Sequence, residues 1–280
     1  MKSIKINAHA KVNIGLYITG KDTDGYHYLD SIFKKIPLKD EIYIFKTKTK
    51  RVIIRFNGQE VPIINTVSKA VFALQKDFPI VNGIEIIIDK YIPFEAGLGG
   101  GSSDAASVLY ALNKLFDLHL SKERLLEYGR KVGSDVSFFL IGSINTLYSC
   151  RVQGKGEKVK LFPLTLPKYL LVIKPKNGIS TQKAYELIDN KGFNKSNLDN
   201  MVSDIKNKRL VRNVNDFEPI IKDLNIQVKE ILDHLKEPLR IVSLTGSGSC
   251  VFVYDNDEDK LDKIREQLTH KIKDLKFYQY

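Results

Sequence analysis

The sequence predicts an α+β fold, and three observations predict it. Short β-branched runs alternate apolar with polar residues. Longer segments carry apolar residues at spacings of three and four. The two kinds follow one another without strict alternation. In chain order, residues 1–20 read as strand, with Ile4, Ile6, Ile14, Leu16 and Ile18 as its apolar positions. Residues 21–25, Lys-Asp-Thr-Asp-Gly, form a turn-rich loop. Strand-like runs follow at 41–45 and 52–56, and 66–77 reads as a helix with Val67, Val71 and Leu74 on one face. Residues 84–89 are short and β-branched, hence a strand. Ala105, Val108, Leu109, Leu112, Leu115 and Phe116 mark an amphipathic helix over 102–116. Ser121 can cap the next helix and Gly133 can end it. Strand is predicted at 138–141 and 170–173. Helical stripes return at Val228, Ile231, Leu232 and Leu235, and at Leu261, Ile264 and Leu268. A Gly246-Ser247-Gly248 turn joins apolar runs at 241–244 and 250–254. Gly154-Lys155-Gly156 lies between strands and marks a soft boundary, giving expected halves 1–153 and 154–280.

Composition narrows the function classes. The chain has 280 residues, of which 43% are hydrophobic and 28% charged, an ordinary globular balance. No apolar run approaches the ~18 residues of a membrane span, and the N-terminus is too polar for a secretory signal. A cytoplasmic protein without membrane contact is expected. Cys150 and Cys250 lack zinc-ligand spacing and are expected to stay free and partly buried. Lys and Arg number 44 against 33 Asp and Glu, a net charge of +11. Either a nucleic-acid surface or a lysine-coated surface that attracts small anions would account for it. Basic residues are interleaved with acids, as in Lys39-Asp40-Glu41, which favours the small anion and argues against nucleic acid. No obligate protein partner is evident.

The most informative stretch runs Pro93, Phe94, Glu95, Ala96, Gly97, Leu98, Gly99, Gly100, Gly101, Ser102, Ser103. It follows a strand and opens the strongest helix. Glycines allow close approach of a ligand to the backbone. The free N–H groups of a first helical turn and the helix dipole favour an anion there, and the two serines add hydroxyl donors. No Lys follows the glycines as a Walker loop requires. Ser102 occupies the position where the dinucleotide fingerprint demands its last glycine. The chemistry is phosphate cradling, with Mg²⁺ expected beside the phosphates. The sequence does not identify metal ligands.

Residues 93–106 resemble the central motif of the galactokinase, homoserine kinase, mevalonate kinase and phosphomevalonate kinase (GHMP) superfamily. Two further segments match in order: Ala10-Lys11-Val12-Asn13-Ile14-Gly15-Leu16 near the start, and Leu244-Thr245-Gly246-Ser247-Gly248-Ser249-Cys250 near the end. The resemblance implies the GHMP kinase fold, two intimate halves with the active site in the cleft between them. It also implies that Gly246 and Ser247 face the phosphate turn. The segment Asp24-Gly25-Tyr26-His27-Tyr28-Leu29-Asp30-Ser31, with Gly133-Ser134-Asp135-Val136-Ser137-Phe138-Phe139 and Asn215-Asp216-Phe217-Glu218, is similar to the superfamily's 4-diphosphocytidyl-2-C-methyl-D-erythritol kinases. That family phosphorylates the carbon-2 hydroxyl of a small cytidine diphosphate substrate. The likeness implies Asp135 as catalytic base and Lys11 as its cationic partner. It implies Tyr26 and His27 at the cytosine, Asn13 and Thr181 near polar groups of the substrate, and Asn65 and Lys69 towards adenosine. Two positions depart from the pattern. Ser137 stands where many relatives carry proline. Glu95 stands where small residues are common, and is expected to point outward or to reach a metal only indirectly.

These residue types suit phosphoryl transfer, which needs placement and charge compensation more than covalent help. A carboxylate can take the proton of an attacking hydroxyl, and a cation can stabilise the charge that develops. Taken singly, Asp135 reads first as a helix cap or surface acid and Lys11 as a solvated lysine. A lysine inside an apolar alternating strand nonetheless demands a partner. A tyrosine beside a histidine on a loop can stack on a base and read its edge. His9, His119, His234 and His270 are scattered and suggest no role. A GHMP kinase acting on homoserine or mevalonate remains an alternative, as does a nucleic-acid-binding module.

Overall fold

A computed structural model describes residues 2–57, 62–79, 83–189, 198–212, 214–235 and 239–280. The chain opens with two long strands, β1 (Ser3–Lys21) and β2 (His27–Lys46), paired antiparallel around the turn-rich loop. β1 is buried on both sides from Ala10 to Ile18. Ala10, Val12 and Ile14 point into a core shared with the second half of the chain. Lys11 and Asn13, at the alternate positions, therefore face the other way. β3 (Val52–Asn57) runs parallel to β4 (Ile84–Asp89) through the crossover helix α1 (Thr66–Asp77). Asn65 caps α1 in a capping box: its side chain accepts from the Ser68 N–H while Ser68 reaches back.

α2 (Gly100–Leu115), α3 (Lys122–Val132) and α4 (Val136–Ile141) follow, with α2 lying against β1, β2 and α1. Ser121 caps α3 and Gly133 ends it, as the sequence suggests. Residues 138–141 are helix, which corrects the strand predicted there. The run is apolar all round because α4 packs between α2 and α3, and its first turn follows directly on Asp135. Ser137 falls in that first turn with its hydroxyl buried and unpaired among the described residues, at a position where proline is also tolerated. The hairpin β5 (Ser149–Gly154) and β6 (Lys158–Leu161) completes the first sheet, ordered β3-β4-β2-β5-β6 with β1 on β2. The hairpin straddles residues 153 and 154, and the chain passes to the second sheet only between Leu161 and Tyr169.

The second sheet is ordered β11-β7-β10-β9-β8, from β7 (Tyr169–Lys174), β8 (Val211–Arg212), β9 (Ile241–Leu244), β10 (Val251–Asp255) and β11 (Lys276–Gln279). Its helices are α5 (Thr181–Ile188), α6 (Leu198–Lys206), α7 (Glu218–Leu224), α8 (Ile226–His234) and α9 (Glu258–Lys271). The halves are stitched together through β1. The Leu16 N–H donates to the Val214 carbonyl at 2.8 Å, Asp216 N–H donates to the Leu16 carbonyl at 3.0 Å, and Ile18 N–H donates to Asp216 Oδ2 at 2.7 Å. Cys150 and Cys250 are free and buried, and burial pushes both thiols up to about 12. No described helix is long and apolar enough to cross a membrane.

Because α2 carries the phosphate turn at its head and the core of the first half along its body, its packing sets the turn's position. Leu112→Ala, at a fully buried site, should cost about 3 kcal/mol of unfolding free energy, measured by urea denaturation.

Candidate active site

The glycine-rich turn is built by backbone geometry that side chains would forbid. Gly97 and Gly99 both lie in the left-handed region, at φ 72° and 69°. A Cβ on Gly97 would fall inside the Thr245 carbonyl, so only glycine lets the two turns touch. Gly99 is the N-cap of α2, and Ser103 is the first residue whose N–H finds a helical acceptor, the Gly99 carbonyl at 2.9 Å. The amides of Gly100, Gly101 and Ser102 thus form the unsatisfied first turn that anions seek. On the other side, the Gly246–Ser247 turn closes over it. Thr245 Oγ1 donates to the Gly97 carbonyl at 3.1 Å, and Cys250 N–H donates to the Ala96 carbonyl at 3.2 Å. Asn215 secures that second turn, donating to the carbonyls of Leu244 at 2.8 Å and Gly246 at 2.9 Å.

Lys11 sits between the two turns. Its side chain is 4% exposed, and Nζ donates to Asn13 Oδ1 at 2.7 Å and to the Gly97 carbonyl at 2.9 Å. Nζ lies 3.6 Å from Asp135 Oδ2 and 4.7 Å from the centre of the Phe33 ring. Burial pulls the Lys11 ammonium below its ordinary value, and the Asp135 carboxylate opposes that fall. Asp135 keeps a 26% exposed side chain at the head of α4, open to the cleft. Asn13 is fixed from both sides, its amide donating to Ser31 Oγ at 3.0 Å and its backbone N–H to Thr245 Oγ1 at 3.1 Å.

The cleft has a volume of about 1090 Å³ and holds nearly every residue expected at the site. Tyr26 is 62% exposed, with Lys155 Nζ 4.7 Å from its ring centre. His27 places Nε2 at 2.6 Å from Asp189 Oδ1, and its ring is 4.7 Å from that of Tyr185, which in turn meets Phe217 edge-on at 4.9 Å. Thr181 opens α5, its hydroxyl 3.0 Å from that of Ser247. Glu95 is exposed with φ 48°; its side chain lies against Gly178 and its carbonyl accepts from the amides of Ile179 and Ser249, both at 3.3 Å. Asn65, Lys69 and Ser103 are not among the lining residues; Ser103 is buried and its hydroxyl, expected as an anion donor, donates instead to the His9 carbonyl at 2.7 Å. The Asn65 side chain is committed to capping α1, and Thr66 from the same segment lines the cleft instead.

Tyr185, Asp189 and Lys155 line the cleft without having been singled out from sequence. Tyr185 lies four residues after Thr181 and so on the same helical face, a spacing that could have identified it. Among the described residues no group of three or more His, Cys, Asp or Glu side chains forms a metal cage.

The family described as GHMP kinases N terminal domain matches residues 65–143. A protein of Carboxydothermus hydrogenoformans named 4-diphosphocytidyl-2-C-methyl-D-erythritol kinase is 38% identical over 275 residues, covering 94% of this chain and 92% of the relative. One of the same name from Caldicellulosiruptor bescii is 32% identical, covering 97% and 96%. A crystal structure of 4-(cytidine 5'-diphospho)-2C-methyl-D-erythritol kinase superposes with a TM-score of 0.76 at 26% identity, covering 99% of this chain and 98% of that one. A homoserine kinase from Cytophaga hutchinsonii shares the fold at a TM-score of 0.66 and 18% identity, over 100% and 94%.

The contact between the two turns yields a direct test. Gly97→Ala should weaken nucleotide binding at least about tenfold, because the left-handed backbone and the Thr245 carbonyl both exclude a methyl group. Equilibrium titration with a fluorescent ATP analogue measures it.

Proposed function

Because this chain belongs to the 4-diphosphocytidyl-2-C-methyl-D-erythritol kinase family, within the GHMP kinases, we propose that it transfers the γ-phosphoryl group of ATP to the carbon-2 hydroxyl of 4-diphosphocytidyl-2-C-methyl-D-erythritol. The products are the 2-phosphate and ADP, in the non-mevalonate route to isoprenoid precursors. The observation that carries this reading is a single cleft that contains the phosphate turn, the Lys11–Asp135 pair and the Tyr26–His27–Tyr185 aromatic group.

The phosphates lie on the amides of Gly100, Gly101 and Ser102, with Ser103, Gly246 and Ser247 behind them. Adenosine lies towards the start of α1, over Thr66. ATP enters as its magnesium complex, the ion arriving with the substrate. The acceptor is a tertiary alcohol, crowded and weakly acidic. Asp135 takes its proton as attack proceeds, and the Lys11 ammonium offsets charge growing between hydroxyl and phosphoryl group. Asn13 and Thr181 orient the methylerythritol hydroxyls. The base lies with Tyr26, His27 and Tyr185, where stacking supplies area and the imidazole reads the edge. Lys21 and Lys155 line this part of the cleft, where Lys21 is paired with Asp189 and Lys155 with Asp22.

An ATP-consumption assay with the cytidine diphosphate substrate beside mevalonate and homoserine should show turnover of the first alone. Turnover of either of the others without it would overturn the reading. Asp135→Asn should lower kcat by about 10²–10⁴-fold while leaving KM for ATP within about twofold, measured by steady-state kinetics.

A further inference from the structure

Beneath the phosphate turn lie three charged side chains that the transfer step leaves unused. Lys90, the residue after β4, sends its ammonium to Asp40 of β2 and to Asp104 of α2, the latter at 2.6 Å. None of the three side chains is more than 1% exposed. A Cβ on Gly100 would stand 3.6 Å from Lys90 Nζ, so the ammonium lies directly under the first residue of α2. The Phe94 ring, 5.5 Å away, covers it. Asp104 is one helical turn beyond Gly100.

The two acids are not equivalent. Asp40 Oδ1 accepts from the N–H groups of Tyr91 at 2.6 Å and Ile92 at 2.8 Å, while Oδ2 takes Lys90. These bonds tie the segment leading into the phosphate turn to β2. Asp104 has Lys90 on Oδ2 alone, and its Oδ1 is buried with no hydrogen-bond partner among the described residues. Two carboxylates around one ammonium leave one excess negative charge in the interior, directly below the place where several phosphate charges arrive. A proton on Asp104 removes that excess while both carboxyl groups stay on the shared Lys90 ammonium. Among the described residues, Lys90 and Asp40 are the charges that act on Asp104. β1 contributes the His9 carbonyl, taken by the Ser103 hydroxyl at 2.7 Å, and the His9 imidazole is turned to the Ile36 carbonyl at 3.1 Å. α1 contributes the Thr66 hydroxyl, on the Gly101 carbonyl at 2.7 Å.

We propose that Asp104 is a positioning residue of the phosphate turn, which it anchors with Asp40 through Lys90, and that it takes up a proton when nucleotide phosphates bind above it. The inference rests on the reading that this turn holds the phosphates of ATP. Even without nucleotide, burial pushes the Asp104 carboxyl up to about 7; the Lys90 charge opposes that rise and the Asp40 charge adds to it. Phosphates add further negative potential and raise it again. The sign follows: a group that binds its proton more tightly in the complex makes nucleotide affinity fall as pH rises through and above the free value.

Calorimetric titration of the whole protein with a non-hydrolysable ATP analogue, at pH 7.5 in buffers of different ionisation enthalpy, counts the protons. The wild type should take up roughly half a proton more than Asp104→Asn, a variant that keeps the shape of the neutral acid. Protonation of the nucleotide itself is common to both and cancels. Across about three pH units centred near 7.5, wild-type Kd should rise about tenfold relative to the variant. A purely structural role for Asp104 moves neither readout. Equal proton counts in the two proteins would overturn the inference and leave the kinase reading standing, whereas absence of any nucleotide binding would overturn both. If Asp104→Asn does not fold, infrared difference spectra of the wild type decide the matter. A protonated-carboxyl carbonyl band must grow on adding the analogue at pH 7.5, and its absence rejects the proposal.

Discussion

A buried ammonium cannot be left without oxygen partners, and the Lys11 ammonium draws its partners from separate stretches of chain. It takes the side chain of Asn13 on its own strand, the Gly97 carbonyl of the phosphate turn, and the Asp135 carboxylate at the head of α4. The same Gly97 carbonyl accepts from Thr245 in the last turn of the site. Satisfying one cation therefore brings together β1, the turn before α2, the start of α4 and the turn after β9. Moving any of them strands a charge, which is far more costly than losing a surface pair. The cation is also drawn towards deprotonation by its burial and held back from it by Asp135. The contact that holds these segments together is thus also the one that favours the charged form of Lys11.

Features set by local chain were legible in the sequence. The phosphate turn announced itself because strand, glycines and amphipathic helix are contiguous, and α3 because its cap and its stop lie at its ends. The run at 138–141 misled because a short stretch apolar on every side reads the same for a buried strand and a buried helix. Only the packing of α4 between α2 and α3 decides it. β2 extends from His27, well before the strand-like run at 41–45, because its middle carries Lys34, Lys35, Lys39 and Asp40, which read as solvent-facing. Lys35 is instead buried, with its ammonium on the carbonyls of Ser143 and Ile144. Charged residues whose partners lie far along the chain leave no local pattern.

The same limit governs the site. Lys11 and Asp135 are 124 positions apart, so their pairing entered through resemblance and not through spacing. Tyr185 and Asp189 meet His27 across 158 and 162 residues, which hid the aromatic and acidic surroundings of the base loop. Asn65 was placed towards adenosine by resemblance, and the structure shows its side chain capping α1 instead of lining the cleft, a bond set by the residues that follow it.

α5 explains how the two ligand regions are held in one frame although they belong to different halves of the chain. Its first residue, Thr181, meets Ser247 of the turn that closes over the phosphates. Asp189, the residue that caps its far end, receives both Lys21, at 2.5 Å, and His27 from the loop between β1 and β2. Between them, Tyr185 packs on His27 and on Phe217. A helix held at both ends in this way fixes the Ser247 turn and the segment from Lys21 to His27 in one geometry. In-line transfer needs donor and acceptor fixed to a fraction of a bond length. The short helix ties Ser247 to His27 from the second half of the chain, and Lys11 ties Asn13, Gly97 and Asp135 together from the first.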